Sequence, residues 1–360
     1  MRRKGAFYDR MRVIYPFPIF TMYSNTANPT FADFSLRKQK MTRTAAFLEH
    51  VNDTVDFSFT EEWHEQLHPS RRGRPPFDAG VMFRVILLQL WFGLSDAEAE
   101  EHIYDRQSFQ QFLGITTDTD VPDETTICRF RALLQKHKLE EAFFVEVYRQ
   151  LEEHGVKIRR GKIVDATICE TPKGRKRKDG TTTRDDDAGF TKKNGRGYHG
   201  YKGHIATDTK GKFIEERVIS SASPHDSQFF DELVDDSDQA AFADSAYINT
   251  ERKQKYREDG KLYGIVERAT RNHPLTSSQK KRNRKLSTVR CRVEHPFAEI
   301  KKRMKFWLRY RGQRKNEWQF TMVCAAYNLK RLVGEYHPAQ KQAVIWRPPV
   351  LRRVTVSGEC

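Results

Sequence analysis

The fold is decided in the middle of the chain, by the segments KIVDATICE (162–170), HGYKGHIATD (199–208) and FIEERVISS (213–221). The first is rich in β-branched residues, and the other two alternate apolar with polar side chains, as half-buried strands do. A short turn that contains Gly211 separates the second segment from the third. The three segments therefore predict an antiparallel meander.

The sequence that follows predicts a mixed α/β domain. The pattern indicates a helix in DSQFFDELV (226–234), a strand in QAAFADSAY (239–247), a helix in INTERKQKYREDG (248–260) and a strand in KLYGIVER (261–268). A basic loop follows, and two further helices are expected over about 287–310 and 316–334. Three meandering strands followed by helix, strand, helix and strand have the order of a ribonuclease H-like domain.

The N-terminal part predicts helices joined by short turns. The apolar run VMFRVILLQLWFG (81–93) is expected to be a helix that Asp78 caps and Gly93 ends. A second helix follows Ser95, and a third follows Asp123 and carries Arg129, Arg131 and Lys136. Three short helices that end in a basic one fit either a helix-turn-helix unit that reads DNA or a helical scaffold that never enters a groove.

The distribution of charge indicates where a polyanion would bind. The formal net charge is +16, with 64 Lys and Arg against 48 Asp and Glu, yet residues 1–156 hold 19 basic and 23 acidic side chains. The excess lies in residues 157–202, with a net charge of +8, and in residues 271–315, with +14. In the second block the cations are interleaved with large apolar side chains. We expect a structured basic surface that binds the phosphate backbone of nucleic acid.

Three acidic residues are candidates for chemistry at that surface. Asp165 interrupts the first predicted strand, where an unpaired carboxylate is costly to bury; Asp244 ends a later strand, and Glu294 lies in RCRVEHPFAEIKK (290–302). Any one of them alone fits a cap or a surface charge. Carboxylates are the ligands that suit Mg²⁺ or Mn²⁺, and two such ions promote phosphoryl transfer. As a set, the acids predict this reaction on nucleic acid.

The surroundings of the third acid add detail to this hypothesis. On a regular helix, Arg290, Glu294 and Lys301 would share one face, with a cation on either side of the acid to hold phosphates. Pro296 predicts a kink or a helix start nearby, because it has no N–H to donate. Glu299 also competes for the role of the third acid, but on a helix it faces elsewhere.

From about residue 30 onward the chain resembles the DDE transposases of bacterial insertion sequences, specifically the insertion-sequence-5 family. The resemblance rests on an ordered series of motifs: TFADF, GRPPFDAGVMFRVILLQLWFGLSD, VPDETTICRFR, VDATICE, TKKNGRGYHGYKGHIATD, HDS, ADSAY and RCRVEHPFAEIKK. It implies a ribonuclease H-like catalytic domain in which Asp165, Asp244 and Glu294 form the catalytic triad and bind two metal ions.

The resemblance also implies further site residues. The family's Tyr-Arg-Glu-Lys motif is met at Arg290, Glu294 and Lys301, whereas Ser287 stands at the Tyr position. The expected DNA contacts are Arg290, Lys301, Lys202, Arg129 and Arg131, and the expected supporting residues are His204, Asp226 and Arg292. Structural packing stays open for Lys202 and His204, and a turn-closing role stays open for Asp226. Asp185, Asp186 and Asp187 are interpreted as solvated loop residues.

We therefore expect an α/β protein with a poorly ordered extension (1–30), a helical DNA-binding domain (31–155), a ribonuclease H-like domain (156–336) and a C-terminal tail (337–360). The predicted function is that of a transposase that binds terminal inverted repeats, cleaves DNA and transfers strands, as a dimer or larger assembly on double-stranded DNA. Two alternatives stay open: a decayed or co-opted transposase that only binds DNA, and a nuclease that does not join.

The remaining features bear on location. Five cysteines without CxxC spacing indicate a reducing compartment, and no apolar stretch of about 20 residues predicts a membrane span. The basic, apolar start of the chain imitates a signal peptide but is interrupted by arginines and prolines. We expect translation from Met11 or Met22, and a bacterial cytoplasmic protein associated with the nucleoid.

Overall fold

The computed structural model describes residues 41–335, except for 68–74, 117, 157–160, 173, 176, 180 and 272. The expected extension over 1–30 and the tail over 337–360 lie outside the described residues. Within the described part of the chain up to residue 156, all regular elements are helices: α1 (Arg43–Thr54), α2 (Phe59–Leu67), α3 (Ala79–Phe92), α4 (Asp96–Asp105), α5 (Gln107–Leu113), α6 (Glu124–Lys136) and α7 (Leu139–Glu153).

The ends of these helices follow the signals in the sequence. Asp78, Ser95 and Asp123 each accept a hydrogen bond from the backbone N–H three residues further on. Gly93 ends α3 in the left-handed conformation that a residue without Cβ adopts easily. The caps satisfy donors that the first turn of a helix leaves unpaired. The predicted helices over these segments are confirmed.

Six strands of the described chain form one mixed sheet: β1 (Lys162–Glu170), β2 (Gly189–Lys193), β3 (Arg196–Asp208), β4 (Ile214–Ser221), β5 (Ala240–Ala243) and β6 (Leu262–Ile265). β1 is antiparallel to β3 and parallel to β5, which pairs in parallel with β6. The other edge of β3 pairs with β2 at its start and with β4 further on. The predicted meander is confirmed, and β2 adds a hairpin to it.

Helices cover this sheet and join it to the N-terminal helices. α8 (Phe230–Leu233) precedes β5, α9 (Thr250–Glu258) connects β5 to β6, and α10 (Ser277–Arg290) follows β6. The long helix α12 (Gln313–Glu335), which confirms the helix predicted over 316–334, packs against both β4 and α7. Trp91 of α3 donates a hydrogen bond to the carbonyl of Ala326 in α12 at 2.9 Å. One continuous core therefore connects the helical part with the sheet.

The segment before α12 differs from the helix predicted over 287–310. α10 ends at Arg290 and is followed by a 3₁₀ turn (Cys291–Val293), the short α11 (Glu294–Ala298) and a π-helical turn (Glu299–Arg303). Pro296 lies in the first turn of α11, where its missing N–H costs no helical hydrogen bond. The predicted helix start near Pro296 is confirmed, but the regular helix through residue 310 is wrong.

None of the described helices is by itself long and apolar enough to cross a membrane. α3 and α4 reach the required length and composition only as a pair, and they are bent by 102° at their break.

Candidate active site

The register of the sheet brings Asp165 and Asp244 to adjacent positions. β1 and β5 run parallel, with Ile163 opposite Phe242. Asp165 and Asp244 each follow this pair by two residues, and the charge of Asp244 raises the pKa of Asp165, as expected of two nearby carboxylates. Because side chains alternate along a strand, each Asp shares a face with the apolar residue two positions before it, and both apolar residues belong to the same core. The two carboxylates therefore lie on one face of the sheet.

Backbone hydrogen bonds orient both side chains. The Asp165 Oδ1 atom accepts a hydrogen bond from the N–H of Ala166 at 2.9 Å. The Asp244 Oδ1 atom accepts one from the N–H of Ala246 at 2.8 Å, because Asp244 caps the 3₁₀ turn Ser245–Tyr247. The end of β5 and the cap after it thus hold Asp244 beside the middle of β1.

Arg290 links the third predicted acid to the first. Its Nη1 atom lies 3.8 Å from Oδ2 of Asp165, and its Nη2 atom lies 3.6 Å from Oε1 of Glu294. Both distances are longer than a direct hydrogen bond, so the guanidinium lies between the two carboxylates without binding either tightly. Glu294 is 64% exposed and Asp165 is 21% exposed. The structure thus places the predicted acids at one solvent-accessible edge.

The charged form of Asp165 is poorly stabilised by its surroundings. Burial raises the pKa of Asp165 to about 6, and the nearby Asp244 acts in the same direction. The N–H of Ala166 and the charges of Arg290 and Lys193 lower this pKa without cancelling the effect of burial. The approach of another cation would stabilise the ionised form of this carboxylate. Such perturbed groups in accessible positions are characteristic of functional sites.

The donor atoms suit a hard divalent cation, although the side chains are not gathered into a complete metal site. Within the described residues, no three His, Cys, Asp or Glu side chains lie close enough together to hold a metal ion. Asp165 and Asp244 offer the carboxylate oxygens that Mg²⁺ and Mn²⁺ prefer. Glu294 is separated from Asp165 by the Arg290 guanidinium. Two acids are therefore adjacent, and the third lies across one arginine.

Lys202 and Asp226 form an ion pair close to the sheet. The Lys202 ammonium lies 2.8 Å from Oδ1 of Asp226 and donates a hydrogen bond to the carbonyl of Pro224 at 2.7 Å. Asp226 begins a 3₁₀ turn that His225 caps. Asp226 therefore lies at a turn, as its turn-closing interpretation expected. The Lys202 side chain is mostly buried, with 12% of it exposed. These contacts hold the chain after β4 against β3.

His204 is packed inside the protein. It lies opposite Ala166 in the sheet, so alternation places it on the face opposite Asp165. Its Nε2 atom is 2.9 Å from Oγ of Ser220, and its ring centroid is 4.5 Å from that of Phe229. Burial lowers the pKa of His204 to about 4. The contacts of His204 are those of a packing residue that supports the strand behind the acids.

The two arginines of α6 differ in their surroundings. Arg131 is 15% exposed, and its guanidinium donates hydrogen bonds to Oδ2 of Asp96 and to Oε1 of Gln89, both at 3.1 Å. Arg129, two residues earlier, is exposed. Arg131 therefore fastens α6 to α3 and α4, which is the scaffold alternative, whereas Arg129 is accessible to a ligand.

The predicted proximity of Arg290 and Glu294 is confirmed, since their charged groups lie 3.6 Å apart, but the regular helix that would place Lys301 on the same face is wrong. The change from α-helix to 3₁₀, α and π turns alters the rotation per residue between them. Lys301 instead reaches β1, where its ammonium donates a hydrogen bond to the carbonyl of Ile168 at 2.6 Å. Its side chain remains exposed, near the strand that carries Asp165.

Two neighbouring residues also bond within the protein. The guanidinium of Arg292 donates a hydrogen bond to the carbonyl of Thr209. Glu299 lies 2.8 Å from the ammonium of Lys330 in α12. Glu299 therefore faces away from the other acids, as predicted, and the competing assignment of the third acid has no support in the geometry.

The interpretation of residues 185–187 as solvated is wrong for Asp185. This carboxylate is buried, and its Oδ2 atom accepts hydrogen bonds from the Tyr201 hydroxyl at 2.9 Å and from the N–H of Gly312 at 3.0 Å. The Asp187 carboxylate accepts one from the first N–H of α12 at 2.9 Å. The loop before β2 is therefore tied to β3 and α12. A run of acids in a polar sequence contains no signal for this role.

Comparison with protein families identifies the family of the chain. Residues 145–329, slightly more than half of the chain, match the family described as Transposase DDE domain. Residues 35–133 match the family described as Transposase domain (DUF772). The chain belongs to the DDE transposase family, and the predicted resemblance to insertion-sequence transposases is confirmed. The family implies DNA as partner and generally uses divalent metal ions. No solved structure matches the chain.

Proposed function

We propose that the protein is a transposase of the insertion-sequence-5 family that binds the terminal inverted repeats of its element, cleaves DNA and joins the freed 3′ ends to target DNA. One observation carries the proposal: Asp165 lies beside Asp244, and Arg290 lies between Asp165 and Glu294. This arrangement joins two acids from adjacent strands to one from a following helix. Their place in the Transposase DDE domain match supports the assignment.

Asp165, Asp244 and Glu294 would hold two Mg²⁺ or Mn²⁺ ions. Such ions activate water against a phosphodiester and stabilise the leaving oxygen. The chain itself provides positioning. Arg290 lies between two carboxylates without binding either tightly, so its guanidinium could bind an entering DNA phosphate instead. Glu294 would then be free to move toward the aspartates. Positioning and charge stabilisation are the main contributions of a protein to phosphoryl transfer.

The strand order supports a ribonuclease H-like catalytic domain over residues 156–336. The order is β4-β3-β1-β5-β6, and β3 runs opposite to the other four strands. We assign DNA-end recognition to residues 31–155. The three helices of the proposed helix-turn-helix unit are α3, the segment after Ser95 that forms α4 and α5, and α6. Arg129 is an exposed cation of this unit. Around the acids, Arg290 and Lys301 are the proposed backbone contacts. Lys202 is paired with Asp226 on the same face of β3 as His204, so we assign it, with His204, Asp226 and Arg292, to the support of these strands rather than to a DNA contact.

The reaction itself suggests the assembly and the location. Two element ends must be brought together and joined to one target, so we expect a dimer or larger assembly on DNA. The proposed substrate is double-stranded DNA, so the proposed location is the bacterial cytoplasm, at the nucleoid. Matched inverted repeats in the DNA just outside the reading frame would identify the element that the protein moves.

The decisive experiment uses a labelled duplex that carries this flanking DNA. The wild-type protein is expected to cut it in Mg²⁺ and to join the product to target DNA, whereas Asp165→Asn should bind the duplex without cutting. Asp186→Asn is a matched control, because Asp186 is exposed in the loop before β2. Cleavage retained by Asp165→Asn would sink the assignment.

The same assay separates the two alternatives. A decayed or co-opted transposase would bind the duplex and leave it intact in Mg²⁺. A nuclease without joining activity would cut the duplex but yield no products covalently linked to target DNA.

A further inference from the structure

A two-stranded hairpin extends beyond the central strand of the sheet. β2 pairs with the start of β3, from Gly189 opposite Gly200 to Lys193 opposite Arg196. β1 ends opposite Gly200, and β4 begins to pair only after it. The outer part of the hairpin (residues 189–200) therefore has no third strand beside it in the described sheet. Isolated hairpins are marginally stable in water, so a projecting one needs support from its base.

The base of the hairpin is held firmly. A Cβ at Gly189 would lie 2.3 Å from Oγ of Ser223, and a Cβ at Gly200 would lie 2.3 Å from the carbonyl oxygen of Cys169. Both glycines thus permit close backbone approaches that other residues would prevent. The loop that leads into β2 is fastened by Asp185, as described above. The hairpin leaves the sheet in a defined direction rather than as a loose loop.

The outer hairpin is basic, aromatic and accessible. Lys192 and Lys193 are exposed, Arg196 is 66% exposed, and Phe190 is 64% exposed. Among these cations, the ion pairs of the described residues include only Arg196 with Glu170, at 3.9 Å. The Phe190 ring lies 4.5 Å from that of His199. Exposed cations interleaved with aromatic rings are the surface chemistry of nucleic-acid binding.

The hairpin extends from the end of the strand that carries Asp165. Gly200 lies opposite Glu170, the last residue of β1, and the Arg196 guanidinium lies 3.9 Å from the Glu170 carboxylate. Asp165 lies five residues earlier on β1, about 17 Å along an extended strand. A duplex of about 30 base pairs bound at the acids is therefore long enough to reach the hairpin.

We propose that the tip of the β2–β3 hairpin binds the phosphate backbone of duplex DNA, with Lys192 on one face of the hairpin and Lys193 and Arg196 on the other as the phosphate contacts, and with Phe190 against the sugar edge. The partner follows from charge: a second hairpin of the same sign would be repelled, whereas a polyanion is attracted. The proposal rests on the proposed function, because it takes the DNA of the transposase as its ligand.

The first test measures the salt dependence of DNA binding. The probe is a fluorescein-labelled duplex of random sequence and about 30 base pairs, because backbone contacts do not depend on sequence. The double variant K192A/K193A of the full chain should lower the slope of log affinity against log salt by about two units. The control K253A/K255A removes two exposed lysines of α9 and should leave the slope unchanged.

The outcomes separate this inference from the proposed function. A slope unchanged in K192A/K193A, while the wild-type protein binds and cleaves its element ends, would overturn the hairpin proposal and leave the transposase assignment intact. Absence of any binding by the wild-type protein would overturn both. Thermal unfolding of each variant checks that the exposed substitutions leave the fold unchanged.

A second measurement tests contact directly. Replacement of Phe190 by the photoreactive residue benzoylphenylalanine (Phe190→benzoylphenylalanine) should yield a protein that cross-links to the duplex on irradiation. The same replacement at Leu262 is the control, since Leu262 is 50% exposed at the start of β6, at the end of the sheet opposite Asp244. Cross-linking of equal yield at both positions, or none at Phe190, would contradict the proposal.

Discussion

Two sites along β1 bury charged groups in opposite ways. At the start of the strand, Lys162 is 7% exposed, and its ammonium lies 3.2 Å from Asp238 and 3.9 Å from Glu215. Three residues further on, the nearest cation to Asp165 is Arg290 at 3.8 Å, and a second acid lies on the adjacent strand. Both places therefore contain more acids than cations.

The two sites resolve this excess differently. Burial raises the pKa of Glu215 to about 8, which favours the neutral form of this carboxyl at pH 7 and leaves the Lys162–Asp238 pair balanced. At the other site, Asp165 is ionised at pH 7 because its pKa is about 6, and the edge around it is open to solvent. In the closed site, a proton neutralises the extra carboxylate. In the open site, the carboxylate stays ionised and can bind a cation from solvent.

The largest expected effect comes from a substitution in the open site, which contains Asp165 and Asp244. Asp244→Asn keeps the volume of the side chain but removes the second carboxylate, so we expect the rate of DNA cleavage in Mg²⁺ to fall by about three orders of magnitude or more, about 4 kcal/mol of barrier. Gel assays of labelled inverted-repeat duplexes measure it. Near-wild-type cleavage would remove Asp244 from the proposed triad.

The next largest effect is expected from a substitution in the closed site, which contains Lys162 and Asp238. Lys162→Met leaves Asp238 buried without its cation, and breaking such a pair costs about 3–5 kcal/mol in the free energy of unfolding. Denaturant unfolding measures the change. Lys255→Met is the control, because its pair with Asp236 is exposed and should not affect stability measurably. A stable Lys162→Met variant would mean that the pair is not buried as described.

The pH dependence of stability sharpens the comparison. The folded pKa of Asp165, about 6, is above the unfolded value of about 3.9. The folded state therefore binds the proton more tightly, and the stability that this confers is full below about pH 4 and lost as the pH rises through 6. Asp165→Asn removes that loss, so the variant should be more stable than the wild type by about 1–3 kcal/mol above pH 6.

Urea unfolding at several pH values checks this prediction. The advantage of Asp165→Asn should develop between pH 4 and 6. For Glu215→Gln the corresponding change should instead extend to about pH 8, because the folded pKa of Glu215 is about 8. If the difference in the free energy of unfolding between wild type and Asp165→Asn does not vary with pH, burial does not raise the pKa of Asp165.

The smallest expected effect concerns Lys301, whose ammonium donates a hydrogen bond to the carbonyl of Ile168. If Lys301 belongs to the open site, DNA phosphate displaces that carbonyl, and Lys301→Ala should reduce the salt slope of DNA binding by about one unit. An unchanged slope would assign Lys301 to the closed, internal contacts of the protein.

Local features of this protein were predictable because their signals are local. Asp78, Ser95 and Asp123 act as caps through hydrogen bonds to residues three positions away. The strand Lys162–Glu170 follows from its β-branched residues, and the strand Ile214–Ser221 follows from side-chain alternation over a few residues. By contrast, burial of Asp185 depends on Tyr201 and Gly312, which are distant in the chain. No pattern within the acidic loop could disclose those partners.

The sequence by itself determined the order of helices and strands, the identity of the candidate acids and the total charge, since these depend on composition and short-range periodicity. Only the tertiary structure decided which charges remain available. It fastened Arg131 to Asp96, directed Lys301 to β1, and left Lys192 and Lys193 exposed on a hairpin. The physical reason is that desolvation and ion pairing depend on neighbours in space, which chain packing alone defines.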